Sequence, residues 1–423
     1  MSKYYLSDIA DFISDKIEFS SIELDKYIST DNMLPNFNGV TLSTVEPSLN
    51  KCTKFKAGDT LFSNIRTYFK KVWFADFDGG CSPDVIVMRT KNEEFVLHEF
   101  LYLLICSEDF INFTVMSSNG AKMPRGDKKA MLKYEFEIPS IEEQKIAINH
   151  YFKIKEKIQL NTQINQTLEQ IAQALFKSWF VDFDPVHAKV QALSDGLTLE
   201  QVELAAMQAI SGKTPEELTA LSQTQPDRYA ELAETAKAFP YEIVEVDGVE
   251  VPKGWEVKRI DEVIQKIPVG KKYSSKTAFS EGLVPILDQG RSGVIGYHNN
   301  KPGVKASIED PIIVFANHTC YMRLISYDFS AIQNVFAFKG KECNLYWLYL
   351  ATLGKQEFVE YKGHFPDFLI KEIVVPPEEL TALFGKYVKE SFSKIFINDR
   401  ENSNLAKIRD LLLPKLLNGE FIR

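Results

Sequence analysis

Two stretches of the chain repeat apolar residues at three-and-four spacing over a considerable length. Tyr151, Ile158, Asn165, Leu168, Ala172, Leu175 and Trp179 share one helical face, with Asn161 nearby; Val388, Ile395, Asn402, Leu405, Leu412 and Leu416 do the same later on. This is the seam of a paired helix. Pro139 and Pro376 stand just before each stretch, where proline is tolerated, and Glu142–Glu143 and Glu378–Glu379 suit the positive end of a helix. A 38-residue block would span about 57 Å as a helix at ~1.5 Å per residue. Two such helices in one chain are expected to pair with each other, antiparallel. The asparagines of the seam read as residues that fix register.

Upstream of each helix the period shortens. Asp59–Ile65 and Asp84–Met88 read as strands and Glu99–Cys106 as a helix; Pro311–Phe315 and Asn334–Phe338 read as strands and Tyr346–Leu353 as a helix. The same order in both halves predicts two α/β (α+β) domains in tandem.

Shifting the chain against itself by 237 residues supports duplication. Ile158, Asn161, Asn165, Leu168, Ile171 and Leu175 then fall on Ile395, Asn398, Asn402, Leu405, Ile408 and Leu412. Over 138–175 against 375–412 there are 9 identities in 38 ungapped positions, where average usage gives about two. The register extends upstream, with Gly126, Leu132 and Glu135 on Gly363, Leu369 and Glu372. The predicted organisation is therefore a first α/β domain over 1–138, a long helix over 139–189, an acidic helical insertion over 190–240, a second α/β domain over 241–375 and a second long helix over 376–423. Within the insertion, Leu199–Ile210 and Pro215–Phe239 read as helical, closed by Pro240 and the turn Val246-Asp247-Gly248-Val249.

Composition alters this picture little. The 423 residues are 45% hydrophobic and 25% charged, ordinary for a soluble globular chain. The net charge of −9 would argue against a polyanionic partner, but residues 190–254 alone hold 4 Lys and Arg against 12 Asp and Glu. Local basic clusters therefore matter more than the total. Five separated cysteines without a Cys-x-x-Cys pair support neither a zinc ribbon nor a disulfide framework. Met1-Ser2-Lys3-Tyr4-Tyr5 lacks the apolar core of a signal peptide, so a cytoplasmic protein is expected.

The common catalytic motifs fail one by one. Gly212-Lys213-Thr214 resembles the end of a phosphate-binding loop, but Met207 stands where its first glycine belongs. Pro83-Asp84 could open a nuclease motif, yet Arg89-Thr90-Lys91 places arginine where the second carboxylate is needed. No Asn-Pro-Pro-Tyr or Asp-Pro-Pro-Tyr element and no Gly-x-Gly-x-x-Gly after a strand occurs. Asp182-Phe183-Asp184-Pro185 reads as a helix end capped by a turn. The six histidines are scattered, with none at i, i+4, so no metal site is expected.

Several segments resemble type I restriction–modification specificity subunits. Ile138-Pro139-Ser140-Ile141-Glu142-Glu143-Gln144-Lys145 is similar to the family's proline–Glu-Glu-Gln signature. The segment from Asn165 to Glu169, with Leu175-Phe176-Lys177-Ser178-Trp179-Phe180-Val181-Asp182-Phe183-Asp184-Pro185-Val186, resembles its central conserved region, and Leu411–Glu420 its distal one. Pro252–Val257 looks like the usual start of a target-recognition domain, and Gly58–Phe62 like a strand inside one. Two departures stand out: Leu380-Thr381 replaces the usual Gln-Lys, and the first domain lacks a Gly-Trp lead-in.

The resemblance implies a non-catalytic subunit carrying two target-recognition domains, each reading half of a split, asymmetric double-stranded DNA target. The long helices would act as spacer and as docking surface for two modification (adenine methyltransferase) subunits, through Ile158, Asn165, Leu168, Leu175, Trp179, Ile395, Asn402, Leu405 and Leu412. It implies no cofactor in this chain: S-adenosylmethionine, ATP and Mg would belong to the modification and the restriction/translocase subunits. The alternative is a coiled-coil scaffold without DNA specificity, which leaves the duplicated α/β domains unexplained.

Phosphates call for Lys or Arg, and base edges for Arg, Asn, Gln or similar reach. That chemistry makes Asn64, Arg66, Lys70, Lys71, Lys122, Arg125, Lys128 and Lys129 the DNA-contact candidates of the first domain. Lys271, Lys272, Lys276, Gln289, Arg291, Asn317, His318, Lys362 and His364 are those of the second.

Overall fold

A computed structural model gives the fold and describes residues 2–44, 46, 50–120, 122–246, 248–290, 293–360 and 362–420. The chain divides into two compact units, Met1–Leu160 with Glu401–Arg423, and Asn161–Arg400. Among the described residues no helix is long and apolar enough to cross a membrane.

The two long helices are Ile141–Phe180 and Glu378–Leu417, each of 40 residues, about 60 Å at ~1.5 Å per residue. Both ends of both helices obey the 237-residue offset. In the first unit the early turns of one helix meet the late turns of the other: Lys157 pairs with Glu401, and Ala147 and Tyr151 share a core with Leu413, Leu416 and Leu417. In the second unit Phe176 and Trp179 meet Phe384, and Asn398 Nδ2 donates to Asn165 Oδ1 at 2.8 Å. Descending numbers oppose ascending ones in both units, so the pairing is antiparallel.

Of the predicted seam, Trp179 is fully buried, while Ile158, Asn165, Leu168, Leu175, Ile395, Asn402, Leu405 and Leu412 are half-buried. Aromatic residues fill much of the remainder, with Phe384, Phe392 and Phe396 buried.

The first long helix ends at Phe180 rather than at 189. Phe183 takes φ +53°, a left-handed conformation that cannot continue a helix, and a new helix starts at Asp184 with Pro185 in its first turn. Pro226 imposes a similar break. The stretch 215–239 is two helices, Pro215–Thr224 and Pro226–Ala238, because proline drives Gln225 out of the helical region to φ −142°. With Leu199–Ser211 these build the insertion, whose anchor is Lys189. That side chain is fully buried, donates to Phe239 O at 2.8 Å, pairs with Glu203 at 3.1 Å and sits over the Tyr241 ring. The predicted turn at Asp247 lies outside the described residues.

The two α/β domains share one plan. In the first, a four-stranded antiparallel sheet runs in the order Ala10–Ile13, Val85–Thr90, Thr60–Ser63, Val72–Phe74; in the second, Ile264–Ile267, Val335–Gly340, Ile312–Ala316, Met322–Ile325. A two-stranded pair closes each domain, Ser2–Tyr5 with Glu135–Ile138 and Glu256–Arg259 with Glu372–Val375. Each sheet packs on a helix buried along nearly its whole length, His98–Ile105 and Leu345–Thr352. Each domain adds a second, four-stranded sheet that the sequence pattern did not reveal, its strands being only two to five residues long.

Candidate nucleic-acid interface

In each domain a loop leaves the end of a central strand and meets a second loop that leads into a short helix, Lys128–Leu132 in the first unit and Phe365–Leu369 in the second. These helices again differ by 237 positions. A buried asparagine joins the two loops in both units. Gly126 N donates to Asn64 O at 3.1 Å; His364 N donates to Asn317 O at 2.9 Å, and Phe365 N to Asn317 Oδ1 at 2.8 Å. The glycines Gly126 and Gly363 are required by close approach: a Cβ on either would stand 2.9 Å from the side chain of its asparagine. Asn64, Asn317 and the fully buried His364 therefore hold the loops, and as folded none offers its side chain to a groove. His364 Nε2 donates to Glu360 O at 2.9 Å, and its Nδ1 faces the Gln356 amide.

The first unit gathers the remaining candidates around this junction. Arg66 and Lys70 bracket a single 3-10 turn, Thr67–Phe69, and both adopt left-handed backbone, φ +50° and +52°. Non-glycine residues take that conformation at a cost and hold it only where neighbours enforce it. Here Arg66 N donates to Pro124 O at 2.8 Å, and Phe37 N donates to Lys70 O at 3.0 Å. Lys70 pairs with Glu108 at 2.6 Å, and Lys71 donates to Thr30 O at 2.6 Å, its pKa lowered by burial. Arg125 pairs with Asp84 at 2.9 Å yet stays exposed, as are Lys122, Lys128 and Lys129. Asp127 caps the helix from Lys128, accepting from Lys129 N at 2.8 Å.

In the second unit Gln289, His318 and Lys362 converge. Gln289 Oε1 accepts from His318 N at 2.9 Å, while the His318 ring bonds to Lys362 O at 2.8 Å and to the Asn334 amide at 3.1 Å. A neutral imidazole protonated on Nδ1 satisfies both ring contacts. Lys362 lies near Asp367 and Glu360, which raise its pKa. Lys271, Lys272 and Lys276 do not join this group. They follow from the second sheet, where Lys271 lies over Tyr273, which stacks on buried His298 at 4.2 Å. Arg291 lies outside the described residues.

Residue types alone did not single out the exposed apolar side chains beside these cations. Tyr68 and Phe69 lie ring to ring at 4.7 Å, and Met123, Phe358 and Val359 protrude from the loops that precede the short helices.

Comparison with known proteins identifies the family. Residues 2–170 match the model of the type I restriction modification DNA specificity domain. The chain belongs to the family of type I restriction enzyme specificity subunits. It is 40% identical to the HindI specificity subunit of Haemophilus influenzae, over 99% of both chains. It is also 25% identical to the MjaIX specificity subunit of Methanocaldococcus jannaschii, over 77% of this chain and 69% of that one. A crystal structure of the type I restriction–modification S subunit from M. genitalium aligns over 98% of this chain and 95% of that one, at 14% identity and a TM-score of 0.49.

Proposed function

We propose that this chain reads a bipartite, asymmetric double-stranded DNA target for a type I restriction–modification complex, one α/β domain for each half. The observation that carries this reading is the duplicated junction, which presents exposed cations beside a fixed loop in both units. Cations on rigid loops neutralise phosphates and fix register, while side chains that reach base edges supply selectivity. The chain contributes position and recognition, and no catalytic group. Methyl transfer to adenine, with S-adenosylmethionine, falls to two modification subunits, and ATP- and Mg-dependent translocation and cutting to restriction subunits.

A duplicated pair of exposed side chains supports two equivalent partners. On the first long helix Leu160 and Ile171 are 50% and 55% exposed; their counterparts 237 positions on, Ile397 and Ile408, are 48% and 51% exposed. Apolar residues repeated at matching surface positions suit two copies of one partner.

The test is co-expression with the modification subunit followed by a mobility-shift assay. The expected result is a one-to-two complex that shifts one sequence selectively, with Leu160→Glu and Ile397→Glu each weakening the hold on a modification subunit. A complex that assembles but binds all sequences alike would favour a protein-only scaffold.

A further inference from the structure

We propose that Phe37 is a positioning residue for sequence specificity: anchored against the second long helix, it fixes the turn from which Arg66 reaches the DNA. The inference rests on the DNA-reading function proposed above and adds what sets the aim of one reading side chain.

Arg66 differs from the cations around it. Lys70 and Arg125 are ion-paired and Lys71 donates to Thr30 O, whereas the half-buried Arg66 has no carboxylate partner among the described residues. Its planar fork suits a bidentate contact with a phosphate or a guanine edge. A guanidinium at the end of a long side chain is aimed first by the backbone that carries it, so the contact requires a fixed turn.

That turn is held by a separate loop. Residues 33–40 close on themselves, with Met33 bridged to Val40 and Leu34 N donating to Gly39 O at 2.8 Å. Within the loop Asn36 and Phe37 take φ +57° and +63°. Two successive residues of that hand point their amides the same way, and both amides donate into the Arg66 turn. Asn36 N reaches Phe69 O and Phe37 N reaches Lys70 O, each at 3.0 Å. With Arg66 and Lys70, four of the eight left-handed non-glycine residues among the described ones meet here. A bulky side chain disfavours that conformation, so the surroundings must enforce it.

The enforcement comes through the Phe37 ring. It is 6% exposed and belongs to the core of the first unit, and Arg409, on the helix Glu378–Leu417, sets its guanidinium 5.7 Å from the ring centroid. Arg409 is itself buried and pairs with Asp410 at 2.8 Å. A desolvated cation over an aromatic face is held more strongly than an exposed one. Contacts within the first unit thus run from the long helix through Arg409 and Phe37 to the turn that carries Arg66. A phenylalanine that only filled the core would have no need of left-handed backbone; that backbone is what delivers the two amides.

The test uses the chain assembled with its modification subunits and a DNA library randomised in both halves, with thermal unfolding as the check on folding. Phe37→Leu keeps apolar bulk and removes the ring. It should lower preference for the base that Arg66 reads by roughly tenfold, within the range of one base contact, and leave the other half unchanged. In an Arg66→Ala background it should change preference no further, because its effect passes through Arg66. Arg409→Gln should reproduce the loss, and Arg409→Lys, with a cation again at the ring, should restore preference; this pair carries the test if Phe37→Leu does not fold. A folded Phe37→Leu variant with unaltered first-half preference, equal losses in both halves, or a further loss in the Arg66→Ala background would overturn the proposal while leaving DNA reading intact. So would unaltered preference in Arg66→Ala alone. Absence of any enriched sequence with the wild-type complex would overturn both.

Discussion

Arg89 and Asp84 lie where a nuclease motif would need two carboxylates, and each has a structural partner. Arg89 grips buried Asp59 through two hydrogen bonds, 2.6 and 2.7 Å, and Lys56 N donates to the same carboxylate at 2.7 Å. Asp84 pairs with Arg125. The failure of the motif was legible in the sequence; the partners were not, because they stand 30 and 41 positions away. Asp59→Ala would strand a partly buried guanidinium, so a loss of about 3 kcal/mol is expected, read as a fall in unfolding midpoint. A change below 0.5 kcal/mol would deny the pair its role. Asp399 yields a pH prediction. The side chain reaches solvent, yet the protein packed around it, with the charge of Glu169, raises its pKa, while the Asn165 amide opposes the shift through a 2.7 Å hydrogen bond. A carboxyl whose folded pKa is raised adds stability below its unfolded value, near 3.8, and loses it as pH rises through the folded value. Asp399→Asn retains an acceptor for Asn165 without the charge. It should therefore raise the unfolding temperature at pH 7, with the gain shrinking as pH falls towards 4. A gain that grows on acidification would reverse the sign argued here.

At the scale of elements, the long helices were legible because a three-and-four period over 40 residues is hard to mistake, and their starts lie two residues beyond Pro139 and Pro376. Breaks were harder to locate. Gln225 and Phe183 leave the helical region under local backbone constraints that an apolar period does not register. The second sheets went unread because strands of two to five residues have no periodicity to detect. The candidates for DNA contact were legible as charge but not as geometry: Asn64, Asn317 and His364 have the right chemistry and are buried where the loops meet. If the helices also space the two readers, removing one heptad from each, Ile158–Ile164 and Ile395–Glu401, shortens each helix by about 10 Å and keeps the seam in phase. Mapping of methylated adenines should then return the same half-sequences at a reduced gap. Methylation at the original spacing by a folded double-deletion variant would rule out the spacer.

For the whole molecule, duplication is the organising fact. It was visible as 9 matches in 38 positions, and the same offset recurs in the helix ends, in the closing strands Glu135–Ile138 and Glu372–Val375, and in the short helices. Two copies of one reading device in one chain imply that specificity is divided by halves. The most direct measurement is binding of the assembled methyltransferase to a DNA library randomised in both halves. Arg66→Ala should change base preference in one half only, by roughly 1–3 kcal/mol at a position it reads, and His318→Ala in the other only, by freeing the loop that its ring holds. Lys129→Ala or Lys272→Ala should weaken all sequences together and flatten the salt dependence by about one unit. If a folded Arg66→Ala variant disturbed both halves equally, the division into two readers would be contradicted.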